Sequence, residues 1–131
     1  ATMSRWLELN IYIGETDQWK HQSLYLALIE MARDYGLAGA TVTRGIAGFG
    51  EKARIRTTRI LALSVDLPLV VTIVDQAAMI NEFIPVVREM VQSGLITVQP
   101  ITVIESVQAK SRRSGQFLRT IRASRNKQLS N

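Results

Sequence analysis

The residues best suited to chemistry lie in one short stretch, residues 44–59, which combines glycines with basic side chains. Gly45, Gly48 and Gly50 fall within six residues. A single acid, Glu51, faces five basic residues, which are Arg44, Lys52, Arg54, Arg56 and Arg59. Glycines allow positive φ and close approach of backbone N–H groups to an anion, and a guanidinium offers a planar fork of donors. The stretch therefore has the composition of a phosphate or carboxylate site.

The same stretch fails two established phosphate-binding patterns. A Walker loop needs a lysine directly after its last glycine, but Gly50 is followed by Glu51. A dinucleotide fingerprint needs a further glycine where Ala53 stands. A flexible, solvated basic hairpin would have the same composition. The residues alone leave both interpretations open, an anion site and a plain hairpin.

Groups for catalysis are scarce in the rest of the chain. There is no cysteine, which excludes thiol nucleophiles, disulfides and zinc–thiolate sites. His21 is the single histidine, and its place beside a predicted helix start favours a surface or capping role over catalysis. The carboxylates are scattered and form no recognisable acid–base pair or metal-ligand spacing. We therefore predict a binding or regulatory protein, not an enzyme, with no metal.

The positive net charge of +5 is concentrated at the C-terminal end. Of 16 basic residues, seven lie in residues 109–131, which leaves nine to face 11 acidic residues in the preceding part. The body is therefore slightly acidic, so DNA binding is not expected. RNA binding is disfavoured as well, because residues 60–63 and 69–74 carry no aromatic side chain for base stacking. The basic tail is either solvated or a weak amphipathic helix.

The sequence also predicts where the protein works. No apolar run approaches the roughly 18 residues that span a bilayer. The longest candidate, residues 67–74, contains Pro68 and stops at Asp75. The N-terminal residues lack the basic and apolar regions of a signal peptide. Together with the lack of cysteine, these features predict a cytoplasmic protein.

The first half of the chain changes its apolar period from two to about 3.6. Residues 7–13 alternate apolar and polar side chains, which predicts a half-buried strand. From about residue 21 to residue 35 the apolar spacing predicts an amphipathic helix that ends near Gly36. Its stripe consists of Leu24, Leu28, Met31, Ala32 and Tyr35. Residues 40–44 and 60–63 are predicted to be extended, and residues 64–68 to form a turn.

The second half repeats this order. Residues 69–74 are nearly continuously β-branched, which is typical of a central strand. Asp75 is a suitable N-cap for a helix over residues 76–92, kinked at Pro85, with a stripe of Ile80, Phe83, Ile84, Val87 and Val91. Residues 96–103 alternate again, and Pro100 predicts a bulge or a break into two short edge strands.

The order of these elements predicts one α+β domain. A strand, helix, strand, strand, helix, strand order is that of the ferredoxin-like βαββαβ sandwich, in which two helices cover one face of an antiparallel sheet. We expect this domain to occupy residues 1–108, followed by a basic C-terminal tail over residues 109–131.

Three motifs carry a resemblance to a known family. The residues from Gly39 to Gly50, which read GATVTRGIAGFG, resemble the second-strand signature of the PII-like family known as domain of unknown function 190. Tyr12-Ile13-Gly14-Glu15 and the Asp66-Leu67-Pro68 turn are similar to that family as well. The resemblance spans about residues 7–104 and excludes the tail. It links the chain to the PII signalling superfamily of nitrogen regulatory proteins.

The resemblance implies a fold, an assembly and a site. PII proteins are ferredoxin-like trimers with a long loop between the second and third strands, and a Gly-Phe-Gly stretch lies at its base. Gly48, Phe49 and Gly50 match that base, where adenine nucleotides sit in clefts between subunits of nucleotide-binding members. By this likeness, Gly45, Gly48 and Gly50 border the ligand, and Arg44, Lys52 or Arg54 neutralises its phosphate. The loop over residues 45–60 would then signal to a partner such as a membrane transporter.

The sequence also departs from true PII proteins. Residues 51–59 contain no counterpart of the tyrosine that PII proteins carry for uridylylation. The phosphate-gripping loop after the second helix is reduced to Ser93-Gly94-Leu95. An alternative function follows from these departures, namely a protein-interaction module that needs no ligand and docks through the loop or the basic tail.

Overall fold

A computed structural model describes residues 5–49, 55–57 and 66–106 of the chain. These residues form two α-helices and several strands in the order expected for an α+β domain. Its elements are β1 (Trp6–Gly14), β2 (Gln18–Trp19), β3 (Gln22–Ser23), α1 (Leu24–Asp34), β4 (Gly39–Arg44), β5 (Ala47–Gly48), β6 (Arg56–Thr57), β7 (Pro68–Gln76), α2 (Ala77–Met90) and β8 (Leu95–Ile101).

Four of the strands build one antiparallel sheet in the order β4-β7-β1-β8. Strands β1 and β4 are joined by α1 with β7 inserted between them, and β7 and β8 are joined by α2 with β1 inserted between them. This is the split βαβ arrangement, repeated twice, so the predicted ferredoxin-like fold is confirmed. The predicted extended segment over residues 60–63 and the tail over residues 109–131 lie outside the described residues.

The core lies between the helices and one face of the sheet. Because side chains alternate along a strand, Leu9 and Ile11 of β1 and Val71 and Ile73 of β7 all point to the helices and are fully buried. The predicted stripe of α1 is buried throughout. In α2 the buried side chains are Ile80, Phe83, Val86, Val87 and Met90, so the predicted stripe is right at its centre and misses Val86 and Met90.

The opposite face of the sheet carries no helix among the described residues. Its centre is a polar network, in which Thr72 Oγ1 donates to Asn10 Oδ1 at 2.7 Å and Asn10 Nδ2 donates to Glu8 Oε2 at 3.1 Å. Beside it, Tyr12 and Leu95 stand opposite each other on β1 and β8 and are about half exposed. This face therefore offers both apolar and hydrogen-bonding side chains for contact.

The helix α1 begins three residues later than the sequence predicts. Residues 18–23 form a small hairpin of β2 and β3, and Lys20 and His21 occupy its turn with φ of 48° and 65°. A two-residue turn with positive φ at both positions matches the twist of a hairpin, but it normally uses Asn or Gly. Neither residue is present at this turn, so the sequence does not predict the hairpin. The prediction that the helix starts near His21 is therefore wrong, and His21 is an exposed turn residue.

The second helix begins later too, for a different reason. Strand β7 continues through Asp75 to Gln76 because Trp6 of β1 still pairs with Gln76. Asp75 is therefore not the N-cap, a position held by Gln76. The Asp75 carboxylate instead accepts the N–H of Ala38 at 3.0 Å and that of Gln76 at 2.6 Å. The helix itself runs uninterrupted past Pro85 to Met90, two residues short of its predicted end.

Both remaining prolines lie inside strands, contrary to the prediction. Pro68 is the first residue of β7, where a missing donor does not break the ladder. Pro100 lies within β8 opposite Leu7, and the register of β8 against β1 is the same on both sides of it. Strand β8 is at the edge of the sheet, where a proline is tolerated within a strand. The predicted bulge is therefore absent from β8.

Candidate functional site

The predicted site residues that the structure describes lie at one end of the sheet, where β1 and β4 end and β7 begins. Three segments meet there, residues 14–17, 44–48 and 66–68, and we call them together the loop root. Both ends of the segment that joins β4 to β7 are part of it. Gly50, Lys52 and Arg54 lie outside the described residues, so their part in the site stays a prediction.

The two glycines at the loop root lie against one proline, and only Gly45 lies so close that a side chain would crowd it. A Cβ built on Gly45 would lie 3.0 Å from Pro68 Cγ, and one built on Gly48 would lie 3.4 Å from the same atom. Neither glycine adopts the positive φ that the sequence suggested. The N–H of Gly45 donates to the carbonyl of Pro68 at 2.7 Å, so this donor is already used. Gly45 therefore contributes space at the root rather than a free N–H group.

The turn after β1 connects the root to the far end of the same segment. The N–H of Glu15 donates to the Leu67 carbonyl at 2.8 Å, and the N–H of Thr16 donates to Asp66 Oδ1 at 3.3 Å. The turn is closed by Asp17, whose Oδ2 accepts the N–H of Gly14 at 2.8 Å. These bonds fix residues 66 and 67 beside the end of β1, although 50 residues separate Thr16 from Asp66 in the chain.

The Glu15 side chain joins the two ends of that segment. Its Oε2 forms an ion pair with Arg44 Nη2, and its Oε1 accepts the N–H of Leu67 at 3.4 Å. The Glu15 side chain is only 17% exposed, whereas the Arg44 side chain is 58% exposed. The Arg44 guanidinium is thus held by the largely buried Glu15 carboxylate, and more than half of the Arg44 side chain is open to solvent. In the sequence Glu15 stands out only as part of the Tyr12-Ile13-Gly14-Glu15 motif, and its contact with Arg44 is not predicted.

Beyond the loop root, the segment between β4 and β7 forms a short two-stranded ladder of β5 and β6, with exposed apolar residues beside it. Strands β5 and β6 pair Gly48 with Arg56 and Ala47 with Thr57. Phe49, which the sequence places in the site, is 71% exposed, and Ile46 and Ile55 are exposed as well. Exposed apolar side chains in such a loop are typical of a contact surface.

The turn that corresponds to the shortened loop after α2 lies at the other edge of the sheet. Gly94 fits there because a Cβ would lie 2.5 Å from the Tyr12 carbonyl oxygen. Strands β4 and β8 are the two edges of the four-stranded sheet. With neighbouring strands about 4.8 Å apart, this turn is roughly 14 Å from the β4 edge, so a single chain does not bring it to Arg44.

Neither a metal-ligand cluster nor a membrane-spanning helix is found in the part of the chain that the structure describes. Within residues 5–49, 55–57 and 66–106, no three His, Cys, Asp or Glu side chains come together as metal ligands would. Neither of the two described helices is long and apolar enough to cross a membrane.

The fold is similar to that of PII-like proteins of known structure. The structure is similar to that of CPII, a nitrogen regulatory PII-like protein from Thiomonas intermedia K12, solved with ADP, AMP and bicarbonate bound. That match has a TM-score of 0.52 and 15% sequence identity, and it covers 76% of this chain and 88% of the other. A second CPII structure, with ADP and bicarbonate, gives a TM-score of 0.50 at 16% identity with the same coverage. At such identity the likeness shows the fold.

The sequence places the protein in a family. Residues 6–103 match the family DUF190, described as Uncharacterized ACR, COG1993, and the chain belongs to this family. A UPF0166 protein of Aquifex aeolicus is 36% identical over 96 residues, which cover 73% of this chain and 90% of the relative. A UPF0166 protein of Methanocaldococcus jannaschii is 33% identical over 91 residues, 69% of this chain and 83% of the relative. The resemblance drawn from the motifs is thus confirmed.

Proposed function

We propose that this protein is a non-enzymatic, PII-like regulator that binds an anionic small molecule, an adenine nucleotide, in clefts between the subunits of a homotrimer. In this proposal the 45–60 loop responds to the ligand and contacts a partner protein such as a membrane transporter. The observation that carries the proposal is the Arg44 guanidinium, which is open to solvent beside the small residues Gly45 and Gly48. A PII-like neighbour that binds ADP and AMP supports the choice of ligand.

The arrangement of the sheet supports a site between subunits. Arg44 and Gly48 lie at the β4 edge, whereas Gly94 lies at the β8 edge. A ligand held by both edges would need one edge from each of two subunits. The sheet face opposite the helices could form the contact between subunits, because Tyr12 and Leu95 expose apolar surface there beside a hydrogen-bonded polar network. A cytoplasmic location stays a prediction of the sequence.

Native mass measurement and calorimetric titration with AMP, ADP, ATP and cyclic nucleotides would test this proposal. We expect a trimer and binding of at least one of the nucleotides. Arg44→Gln should weaken that binding about tenfold or more, since a charge-assisted hydrogen bond contributes about 1.5–3 kcal/mol. Arg33→Gln is the matched control, because Arg33 is also exposed and paired with a carboxylate, that of Asp34, at the end of α1. A folded trimer that responds to none of the nucleotides would contradict the nucleotide proposal.

The exposed side chains of Ile46, Phe49 and Ile55 favour a second candidate function, an interaction module that needs no ligand. Such a module would capture its partner without added nucleotide. Capture should then fail for Phe49→Ser, or after truncation at residue 107 if the basic tail is the docking segment. A capture that depends on nucleotide would support the first proposal instead.

A further inference from the structure

We propose that Glu15 occupies the anion position at Arg44 from within the chain, and that an anionic ligand binds there in competition with the Glu15 carboxylate. This inference rests on the proposed function, since it specifies how the site beside Arg44 is regulated. The ion pair between Glu15 Oε2 and Arg44 Nη2 is the observation behind it. A carboxylate is chemically a modest substitute for a phosphate oxygen, because both accept hydrogen bonds from the guanidinium fork.

The two partners differ in their access to solvent, and this difference allows exchange. Glu15 reaches Arg44 from the protein side, where only 17% of its side chain is exposed. More than half of the Arg44 side chain is open to solvent, so a ligand can approach the guanidinium from outside. A guanidinium has five N–H donors. A ligand can therefore make its first contact with Arg44 before the Glu15 contact is lost.

The charge of Glu15 opposes a bound anion whether or not the ion pair breaks. Like charges close to each other repel, and they do so more strongly near a protein surface than in bulk water. A polyphosphate in contact with Arg44 would therefore meet repulsion from Glu15. Replacing the Glu15 carboxylate with a neutral group removes both the competition for Arg44 and the repulsion of the ligand. Both changes raise the affinity for the anionic ligand.

Release of Arg44 does not require the loop root to come apart. Glu15 keeps its backbone bond to the Leu67 carbonyl, and its Oε1 still accepts the N–H of Leu67. Gly45 likewise stays bonded to Pro68. The exchange therefore gives up one solvent-exposed ion pair, and exposed pairs are weak. We accordingly expect Glu15 to reduce the affinity for the ligand about two- to fivefold rather than to block binding.

Isothermal titration of four proteins with ATP, ADP and inorganic pyrophosphate at low ionic strength tests the inference. They are the wild type, Glu15→Gln, Arg44→Gln and Glu30→Gln. Glu30 is an exposed carboxylate on α1, so its substitution makes the same change in net charge away from the root. We expect Glu15→Gln to bind about two- to fivefold more tightly than the wild type, Arg44→Gln to bind about tenfold or more weakly, and Glu30→Gln to match the wild type. A residue that only supported the root would give weaker binding when changed.

The outcomes separate this inference from the proposed function. Equal or weaker binding by Glu15→Gln, with binding weakened or lost in Arg44→Gln, would overturn the inference and leave the function standing. Binding by Arg44→Gln that is as tight as that of the wild type would also overturn it, because the site would lie elsewhere. No binding by any protein would overturn both, whereas binding by Glu15→Gln alone would support the inference. If Glu15→Gln does not fold, Glu15→Asp serves instead, because its shorter arm moves the charge from Arg44, and a smaller gain in affinity is expected.

Discussion

The two ends of the sheet each contain a carboxylate that holds distant segments together, and the two carboxylates differ in their partners. At one end, Asp75 is buried and accepts two backbone N–H groups, those of Ala38 and Gln76. At the other end, Glu15 accepts one backbone N–H, that of Leu67, and pairs with the exposed side chain of Arg44.

This difference suggests a division of labour between the ends. A backbone N–H has a fixed position, and no solute competes for it once the carboxylate is buried. A half-exposed guanidinium can exchange its carboxylate for another anion at little cost. We infer that the Asp75 end is structural and that the Glu15 end is suited to ligand exchange. Three experiments test this comparison, taken from the largest expected effect to the smallest.

The largest effect is expected from Asp75→Ala. This change removes two charge-assisted hydrogen bonds and the negative charge before the N-terminus of α2, so the free energy of unfolding should fall by about 2–4 kcal/mol. Urea denaturation followed by circular dichroism measures it. Asp75→Asn should lower the free energy of unfolding by about half as much, because the amide oxygen of Asn still accepts one N–H.

The control for Asp75 is Glu30→Ala on the exposed side of α1, which should change the free energy of unfolding by no more than about 0.5 kcal/mol. If Asp75→Ala were as mild as this control, Asp75 would not be a structural carboxylate and the comparison between the two ends would collapse.

Asp75 and Glu15 also show what the sequence could and could not predict. The apolar periods correctly predicted both helices, the sheet strands and the buried face, because those features depend on local side-chain alternation. Asp75 was mistaken for an N-cap because its type and position fit one. Its true partner at Ala38 lies 37 residues away and becomes a neighbour only when β4 pairs with β7.

The ion pair at the loop root was beyond sequence reasoning for the same physical reason. Arg44 was correctly placed at the end of a strand, but nothing in its neighbourhood identifies Glu15, which lies 29 residues earlier and on a strand end that is not adjacent to β4. The glycine pattern correctly indicated where the loop root lies, but not why glycines are found there. A Cβ on Gly45 would crowd Pro68, a contact that no local pattern reveals, whereas a Cβ on Gly48 would make only an ordinary contact with it.

The next largest effect is expected from Gly94→Ala. This substitution tests whether the backbone at the Glu15 end of the sheet can move to make room for an added side chain. The new Cβ would lie 2.5 Å from the Tyr12 carbonyl oxygen, with Val91 and Ile13 also close. Tyr12 is paired on both sides, with Val70 and Leu95, so its backbone cannot move away easily. We expect a loss of about 1–3 kcal/mol in the free energy of unfolding, which is usual for overpacking.

Gly39→Ala is the matched control for Gly94→Ala, because a Cβ on Gly39 has no atom within 4 Å and the residue has no positive φ. Its stability should stay unchanged or rise by about 0.5 kcal/mol through the entropy of the unfolded chain. If the two substitutions changed the free energy of unfolding equally, the backbone at the Glu15 end would be able to move. The backbone there, as well as the side chains, would then adapt to a ligand.

The smallest effect is expected from the ion pair itself, measured without any ligand. A double-mutant cycle of Glu15→Gln and Arg44→Gln should give a coupling free energy of about 0.2–1 kcal/mol at low salt. In 1 M NaCl the screening length falls to about 3 Å, so most of this coupling should disappear. The effect of Asp75→Ala should change far less with salt, since Asp75 is buried and its partners are backbone N–H groups. A coupling well above 1 kcal/mol that resists salt would make Glu15 as structural as Asp75, and a ligand could then no longer displace it at little cost.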